Sequence, residues 1–487
     1  MQLSQLLMPF LDRISCPIVD CELVHLANDS RTVAAGSVFI AYPGAAVDGR
    51  LFINDAIARG AIAVLYEPEN LPETLVLPQS VPCIAFPHLA QSVALLAQQF
   101  YRNPSQHMVL TGITGTNGKT TIAYQLAQAH ALLNNKSAYI GTIGQGAVDQ
   151  LQPLENTTPD ALCLQKLLAS YQEQGIRQVC MEVSSHALTQ HRVEGLAFKQ
   201  AIFTNLTLDH LDYHHTMEEY AAAKAQLFAM PDLQTAILNA DDAYHEIMHK
   251  ALQPEVQVIR YGFGSQCDVQ VLSWSSSLQG SIMEVRSPWG THRIRVTSLG
   301  QFNVYNSLAV FASLMAYGYR VDEVIAVMGR LKAAPGRMEL LTEKPSVLVD
   351  YAHTPDALDN VLKTLQPLKE GSLWVVFGCG GDRDKSKRPL MGEVASRYAD
   401  KLIVTSDNPR SENPQQIIAD IVKGIPASSS LVTLVLRGEA IAYALEHAQQ
   451  NDIILIAGKG HESYQQIGAT KHAFSDKQTV LQLRAHH

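Results

Sequence analysis

The sequence lacks a hydrophobic run that could cross a membrane. Its apolar segments, such as Ser92–Phe100, end well before the roughly 18 residues that a membrane-spanning helix needs. Near the N-terminus, Asp12 and Arg13 interrupt a short apolar stretch that has neither a basic leader nor a small-residue cleavage site. We therefore expect a cytoplasmic protein without a secretory signal or a membrane span.

Cysteines and charged residues are also few. The 487 residues include 7 cysteines and no Cys-x-x-Cys pair, which argues against a disulfide framework or a zinc site. Charged residues make up 17% of the chain, and 37 basic against 46 acidic residues give a net charge of −9. This balance argues against a nucleic-acid partner. Apolar residues, at 47%, are as common as in globular proteins, so we expect no intrinsic disorder.

The order of predicted strands and helices divides the chain into three domains. Prolines cluster between Pro72 and Pro87 and the pattern halts again at 333–336, so we predict domains at residues 1–87, 88–333 and 334–487. The first is small and mixed, whereas strands and helices alternate in the other two, which predicts α/β domains with parallel sheets. Ligands of such sheets bind beyond the carboxyl ends of the strands. The central sheet carries a predicted hairpin at Ile282–Val296, and four strands are predicted in the last domain: Val347–Val349, Leu373–Phe377, Leu402–Thr405 and Ile453–Ile456.

A phosphate-binding loop is predicted at residues 112–121. Strand Met108–Thr111 precedes it and an apolar helical stripe follows it. The loop departs from the GxxxxGK[ST] pattern because Ile113 occupies the first glycine position. Backbone N–H groups at a helix N-terminus bind phosphate, while Lys119 neutralises its charge and the Thr120 hydroxyl can hold Mg²⁺. The alternative is an ordinary strand-to-helix turn.

Carboxylates and histidines follow two later strands. A short apolar strand is predicted at Val179–Val183, and Glu182 breaks its alternation near the strand's end. There it could bind the nucleotide's metal ion or simply be a surface glutamate. Residues 204–214 hold Asp209, His210, Asp212 and His214, which suggest a second cation site, although helix capping by either aspartate explains part of the pattern. Lys224, in a predicted helix, has the pattern of a solvated lysine.

Five segments carry a family resemblance, in this order: Gly115–Thr121, Met181–His186, Thr204–His214, Gly300–Asn306 and Pro335–Glu339. Taken together, they resemble the signatures of the Mur ligases. These are ATP-dependent amide-forming enzymes of peptidoglycan precursor synthesis, and the resemblance covers nearly the whole chain. Within the family, the chain is most similar to members that add the third peptide residue to UDP-N-acetylmuramoyl-L-alanyl-D-glutamate.

The resemblance implies a reaction and a role for each domain. The substrate carboxylate attacks the γ-phosphate of ATP to give an acyl phosphate, and an amine then displaces phosphate. Residues 1–87 would bind the UDP-muramoyl substrate, the central P-loop domain would bind ATP, and the C-terminal Rossmann-like domain would bind the amino acid. Mg²⁺ is the implied cofactor, and we expect a monomer.

The resemblance also implies residue roles. Lys119, His210 and Lys224 would be catalytic, with Lys224 carbamylated, and the metal ligands would be Thr120, Glu182, His210 and carbamylated Lys224. The implied ATP-binding residues are Gly115, Thr116, Asn117, Gly118, Lys119, Thr120, Thr121, Asn303 and Arg337. The implied UDP-muramoyl-binding residues are Ser30, Ala45, Ala46, Val47, Asn156, Thr157, Thr158, Ser184, Gln190 and Arg192.

The amino-acid substrate is suggested by the loop Ser406–Arg410. From the residues alone it could be a turn followed by a surface arginine. In the family, however, Asp-Asn-Pro-Arg resembles the signature of enzymes that select meso-diaminopimelate over L-lysine. An arginine binds a carboxylate through two hydrogen bonds, and lysine lacks that second carboxylate. The implied diaminopimelate-binding residues are Arg383, Asp407, Asn408, Pro409, Arg410, Gly458 and Glu462.

Three other functions stay open from the sequence. One is an L-lysine-adding homologue. Another is a folate polyglutamate-type ligase, against which the long segment before the phosphate loop argues. The third is a nucleotide-dependent binding protein without catalysis, for which ATP turnover would not respond to either substrate.

Overall fold

The computed structural model describes residues 1–14, 17–44, 47–73 and 75–485. The predicted α/β class is confirmed, since helices surround four sheets and the larger ones are mainly parallel. By packing, the chain forms two compact units. The first contains Met1–Lys119, His130–Leu238 and Asp242–Val258, and the second contains Thr120–Ala129, Asn239–Asp241 and Ile259–His487. Among the described helices, none is both long and apolar enough to cross a membrane.

The first unit begins with a four-stranded parallel sheet. Its strands lie in sequence order, and the five residues of β2 are all buried because a parallel sheet is covered on both faces. Leu89, Val93, Leu96 and Ala97 form the buried stripe of the adjoining helix α3. The strands are β1 (His25–Ala27), β2 (Ser37–Ala41), β3 (Ala61–Tyr66) and β4 (Cys83–Ala85), and the helices are α1 (Leu3–Leu7), α2 (Ile53–Ala58) and α3 (Leu89–Phe100).

The same unit contains the parallel sheet that follows in the chain. Its order is β10-β9-β5-β8-β6-β7, in which β7 alone is antiparallel to its neighbour. The strands are β5 (Val109–Thr114), β6 (Ser137–Gly141), β7 (Gly144–Gly146), β8 (Gln178–Glu182), β9 (Phe198–Phe203) and β10 (Thr235–Asn239). The helices that accompany these strands in the chain are α4 (Lys119–Leu132), of which Thr120–Ala129 belong to the second unit, α5 (Ala161–Glu173), α6 (Ser185–Thr189), α7 (Leu211–His214), α8 (Met217–Ala225) and α9 (His245–Lys250).

The predicted hairpin is part of a larger antiparallel arrangement in the second unit. Strand β12 pairs with β13, and β13 with β14, while residues 261–262 of β11 pair in parallel with β12. Strand β12 was not predicted, because its exposed, serine-rich half has no apolar alternation. These elements are β11 (Gln257–Gly262), β12 (Val269–Ser277), β13 (Gly280–Ser287), β14 (Gly290–Val296), α10 (Gln301–Tyr317) and α11 (Val321–Met328).

The last sheet has six strands in the order β15-β16-β20-β17-β18-β19. Its four central strands are parallel and are the four that were predicted, whereas the edge strands β15 and β19 are partly exposed and were missed. The strands are β15 (Glu339–Glu343), β16 (Ser346–Asp350), β17 (Leu373–Phe377), β18 (Lys401–Thr405), β19 (Leu431–Leu434) and β20 (Ile453–Ala457), followed by a hairpin of β21 (Tyr464–Ile467) and β22 (Thr470–Ala473). The helices are α12 (Pro355–Leu365), α13 (Lys387–Tyr398), α14 (Pro414–Val422), α15 (Arg437–His447) and α16 (Asp476–Ala485).

Short 3₁₀ segments complete the described elements: Met8–Arg13, Ser30–Thr32, Gly49–Phe52, Pro104–His107 and Gln366–Leu368.

Candidate active site

The predicted phosphate loop lies between the end of β5 and the start of α4. Gly115 and Gly118 have φ angles of +143° and +88°, which residues with a Cβ rarely adopt. Lys119 Nζ donates to the carbonyl oxygens of Gly115 and Thr116, each at 2.7 Å. The loop therefore has the backbone form of a phosphate cradle, with its lysine held over it.

A second loop, residues 204–207, braces the phosphate loop. The Thr204 hydroxyl donates to the Asn117 carbonyl oxygen at 2.6 Å. Asn205 accepts from the backbone N–H groups of Thr116, at 2.8 Å, and Asn117, at 3.0 Å. A Cβ on Gly115 would collide with the Thr204 hydroxyl, so the two loops fit only with glycine there.

Lys224 does not point into solvent. It is 1% exposed, and its Nζ donates to the Gly115 carbonyl oxygen at 3.0 Å and lies 4.4 Å from the centre of the Tyr220 ring. Burial lowers the pKa of Lys224 well below its ordinary value, and the charge of Lys119 lowers it further. The interpretation of Lys224 as a solvated helix lysine was wrong. The sequence missed this because α8 is buried on several sides among alanines.

Imidazole rings cluster near Tyr220, which precedes Lys224 by about one turn of α8. The His210 ring is 5.0 Å from the His186 ring and 6.0 Å from that of Tyr220, and His214 stacks on Tyr220 at 5.0 Å. Burial is the main cause that lowers the pKa of each of the three histidines. Near neutral pH they are therefore predominantly uncharged, and a ring nitrogen of each can coordinate a metal ion.

The capping explanation for residues 204–214 is not supported. Helix α7 begins after His210, which makes no side-chain cap, and Asp209 accepts a hydrogen bond from the His210 backbone N–H at 2.9 Å. Among the described residues, no group of three or more His, Cys, Asp and Glu side chains is arranged to hold a metal ion on its own.

Glu182 is buried at the carboxyl end of β8, with 1% exposure, so the surface-glutamate alternative was wrong. Its Oε1 accepts from the Tyr139 hydroxyl at 2.5 Å and the Thr142 backbone N–H at 2.9 Å. The Thr142 hydroxyl lies 3.3 Å from Oε2. These partners fix the carboxylate at the carboxyl end of β8, where Glu182 pairs with Ile113 of β5.

Five of the predicted UDP-muramoyl residues lie close together. The Thr158 hydroxyl donates to the Glu182 carbonyl oxygen and accepts from the Ser184 backbone N–H, at 2.9 and 3.1 Å. Arg192 donates to the Thr158 carbonyl oxygen at 2.9 Å and to the Gln190 side chain. The Thr157 hydroxyl lies 3.1 Å from that of Thr142, which links this cluster to Glu182.

The other predicted contacts of that substrate are more scattered. Ser30 is buried and its hydroxyl lowers the pKa of Asp55 by hydrogen bonding, whereas Val47 and Asn156 are exposed. Ala45 and Ala46 lie outside the described residues.

Four predicted nucleotide-binding residues lie in the second unit. Thr120 is buried, and Arg337 Nη2 donates to its hydroxyl at 3.4 Å. The guanidinium of Arg337 lies 4.4 Å from the centre of the Tyr351 ring. Asn303 is 4% exposed and donates to the Leu299 carbonyl oxygen at 2.9 Å. Thr121, the remaining loop residue in this unit, is also buried.

The predicted diaminopimelate residues lie on three loops that meet at the carboxyl ends of central strands in the C-terminal sheet. The loops follow β17, β18 and β20, which are neighbours in the sheet. Arg410 Nη1 donates to the Gly381 carbonyl oxygen at 2.6 Å, and Asn408 Nδ2 donates to Glu462 at 2.9 Å. Pro409 is buried, Asp407 is 8% exposed, and Gly458 packs so closely on Asp407 that a Cβ would lie 2.6 Å from Oδ2. Arg383 is exposed.

A buried arginine holds two of these loops. Arg388 is fully buried and donates to both oxygens of Glu412, at 2.8 and 3.1 Å. The same carboxylate accepts from the backbone N–H of Asp382 at 2.7 Å, and Asp382 in turn accepts from Ser411. Arg388 lowers the pKa of Glu412 to about 2. The loops that carry Arg383 and Arg410 are thus held by a shared charged network.

Sequence reasoning missed several residues that shape the site. Thr142 directly follows a buried strand, a position from which it could have been identified. Tyr139 and Tyr220 carry no such signal, because each looks like an ordinary core aromatic. Arg388, in turn, looks like a surface helix residue.

Comparisons with known proteins agree over most of the chain. Models described as "Mur ligase family, catalytic domain", "Mur ligase middle domain" and "Mur ligase, glutamate ligase domain" match residues 22–101, 113–314 and 336–460. UDP-N-acetylmuramoyl-L-alanyl-D-glutamate–2,6-diaminopimelate ligase of Neisseria meningitidis serogroup A is 45% identical over 480 residues, which are 96% of each chain.

Two solved structures are also similar. The structure of a UDP-N-acetylmuramoyl-L-alanyl-D-glutamate–2,6-diaminopimelate ligase is 37% identical, with a TM-score of 0.69 and 96% of each chain covered. MurF ligase of Thermotoga maritima in complex with ADP has the same fold at 19% identity, with a TM-score of 0.65, covering 95% of this chain and 98% of its own.

Proposed function

The chain belongs to the Mur ligase family, and on that premise we propose that it joins meso-diaminopimelate to UDP-N-acetylmuramoyl-L-alanyl-D-glutamate at the expense of ATP. It is an ATP-dependent amide-forming ligase of peptidoglycan synthesis. The main observation in favour of diaminopimelate is that three loops meet at the carboxyl ends of neighbouring strands. This arrangement brings Arg410 and Glu462 to the same end of the sheet. The 45% identity with a named diaminopimelate ligase supports the same choice.

The first step is the activation of the dipeptide's free carboxylate. An oxygen of that carboxylate attacks the γ-phosphorus of ATP, the bond to the bridging oxygen breaks, and ADP leaves. Such a transfer depends on positioning and charge neutralisation rather than on covalent help from the protein. We assign the positioning of the phosphates to Gly115–Thr121 and their neutralisation to Lys119, with Asn303 and Arg337 contacting the rest of the nucleotide.

The second step is the attack of an amino group of diaminopimelate on the acyl carbon. The tetrahedral intermediate then expels phosphate, and the amine loses a proton. We assign the recognition of the dipeptide to the Thr157–Thr158–Ser184 cluster with Gln190 and Arg192, and to Ser30, Val47 and Asn156. We assign the recognition of the amino acid to Arg383, Asp407–Arg410, Gly458 and Glu462.

The residues around Glu182 and Lys224 suit Mg²⁺. The buried Glu182 carboxylate offers oxygen ligands, which Mg²⁺ prefers. Lys224 becomes an oxygen donor if its nitrogen attacks CO₂, forming an N–C bond and releasing a proton, and its lowered pKa favours the neutral amine that this reaction needs. We propose that Glu182 and Thr120 serve one cation, and His210 and carbamylated Lys224 another. When bound, Mg²⁺ supplies positive charge that offsets the phosphates.

The assay that tests this function measures phosphate release with ATP, Mg²⁺, the UDP-muramoyl dipeptide and diaminopimelate, and then omits each in turn. We expect release only when the dipeptide is present, and a product heavier by one diaminopimelate minus water. ATP turnover that ignores both co-substrates would favour the binding-protein alternative. Turnover with a folate and glutamate instead would favour the folate-type ligase.

A further inference from the structure

The loops that we assign to the amino acid contain a lysine that is out of contact with solvent and has no role in the steps above. Lys459 lies between Gly458 and Gly460 in the loop after β20, and its side chain is 0% exposed. Its Nζ donates to Oε2 of Glu462 at 2.8 Å and to Oδ1 of Asn408 at 3.1 Å. A buried ammonium is stable only where such partners offset its lost hydration. The loops that carry Asn408 and Glu462 therefore meet around this charge.

Asn408 is held on both sides of its amide. Its Nδ2 donates to the same Oε2 of Glu462 at 2.9 Å. Its Oδ1 accepts a second hydrogen bond, from the Gln466 backbone N–H at 2.8 Å. Lys459 and Gln466 thus fix which end of the amide faces Glu462.

Glu462 has one oxygen held and the other available. Oε2 accepts from both Lys459 and Asn408, whereas no group among the described residues donates to Oε1. The side chain is 18% exposed, so it is not fully enclosed by the protein. A carboxylate that is fixed through one oxygen is already oriented to accept from a substrate ammonium through the other.

We propose that Lys459 is a positioning residue for diaminopimelate, which holds Glu462 and Asn408 in the orientation that receives the amino acid. This inference rests on the proposed function. Because Nζ is enclosed by protein groups, Lys459 acts through these two side chains and does not contact the substrate. Its loss should therefore weaken the binding of the amino acid and leave the binding of ATP and of the UDP-muramoyl dipeptide unchanged.

The test compares Lys459→Met with Lys471→Met. Lys471 is a matched control, because the Nζ atoms of Lys459 and Lys471 both lie over the Tyr464 ring, 5.5 and 4.4 Å from its centre. Lys471, however, is on the exposed strand β22. For Lys459→Met we expect the KM for diaminopimelate to rise ~10-fold or more, with the KM for ATP within about twofold of wild type. Lys471→Met should match wild type in every constant. If Lys459→Met does not fold, Lys459→Gln, which keeps a hydrogen-bond donor without the charge, is measured in its place with the same expectation.

The outcomes separate positioning from simple support of the fold. A folded variant with an unchanged KM for diaminopimelate would overturn the inference. So would a variant whose melting temperature and kcat both fall while that KM stays constant, since this is the result of a merely structural role. Wild-type enzyme that does not use diaminopimelate would overturn the proposed function, and the inference with it.

Discussion

Lys224 is a buried lysine whose surroundings favour the uncharged form of its amine. With 1% exposure, its charge would be costly, and the nearby Lys119 adds repulsion. Arg410, in contrast, is half-buried and lies in a loop. One Nη atom is bonded to the Gly381 carbonyl oxygen, and among the described residues none accepts from its Nε or from the second Nη. Lys224 is therefore suited to covalent modification, and Arg410 to recognition of a carboxylate.

Lys224→Ala should lower kcat by ~100-fold or more, because it removes the group that we expect to become an anionic ligand. Activity should recover partly when small carboxylates such as formate are added, and Lys250→Ala, on the exposed end of α9, should change nothing. Steady-state rates with and without formate give the answer. A Lys224→Ala enzyme with the wild-type rate would show that the carbamate assignment is wrong.

Arg410→Lys should raise the KM for diaminopimelate by roughly 10-fold or more, since an ammonium cannot form the paired hydrogen bonds of a guanidinium. The KM for ATP should stay at its wild-type value. Arg397→Lys, on the exposed side of α13, serves as the control. Kinetics with each substrate varied in turn measures both constants, and an unchanged KM for diaminopimelate would remove Arg410 from the site.

At the scale of elements, the functional residues lie where strands end and loops begin. The loops after β5, β8 and β9 lie together in the first unit, and those after β17, β18 and β20 in the second. Glycines allow the closest approaches between such loops, as Gly115 does against Thr204. Helices also carry buried polar groups, such as Lys224 on α8, which contacts the loop after β5, and His130 in the last turn of α4.

Gly115→Ala should weaken ATP binding by ~10-fold or more, because the new Cβ collides with Thr204 and the φ of +143° is unfavourable for alanine. Gly438→Ala is a suitable control, since its nearest new contact, the Phe474 ring, is 3.8 Å away. Nucleotide titration by calorimetry measures the affinity of each variant. Wild-type affinity in Gly115→Ala would mean that the two loops do not need to pack as they do.

His130 should make the stability of the protein depend on pH. Burial lowers its pKa from 6.5 to about 4, so between these values the unfolded chain binds more protons than the folded one. The free energy of unfolding should therefore fall as pH drops from about 6.5 through 4, by up to roughly 3 kcal/mol from this residue alone.

The measurement is urea denaturation of wild type and His130→Gln at several pH values. The stability of wild type relative to the variant should decrease on acidification from about pH 7 to about pH 4, because glutamine does not titrate. A difference that stays constant with pH would contradict the buried, neutral state of His130.

At the scale of the whole molecule, the sequence identified the α/β class and the four central strands of the last sheet, because buried parallel strands are continuous apolar runs. It failed where burial depends on neighbours that are distant in sequence. Lys224, Lys459 and Arg388 all look solvated in the sequence, yet each is buried against groups contributed by other loops or helices. The edge strands β15 and β19 and the strand β12 were missed because they are partly exposed.

The domain boundaries near residues 88 and 334, the cytoplasmic location and the monomeric state stay predictions. The net charge of −9 does not conflict with anionic substrates. The cations assigned to them, such as Lys119, Arg192 and Arg410, lie at strand ends and in loops, so the charge of the whole chain says little about its ligands.

The central claim is that this ligase selects a diamino acid with two carboxylates. The most direct measurement is the ratio of kcat/KM for meso-diaminopimelate to that for L-lysine, with ATP, Mg²⁺ and the UDP-muramoyl dipeptide saturating. A site that pairs charged groups with the second carboxylate should prefer diaminopimelate by ~1,000-fold or more. Equal values for the two amino acids, or a preference for lysine, would contradict the account.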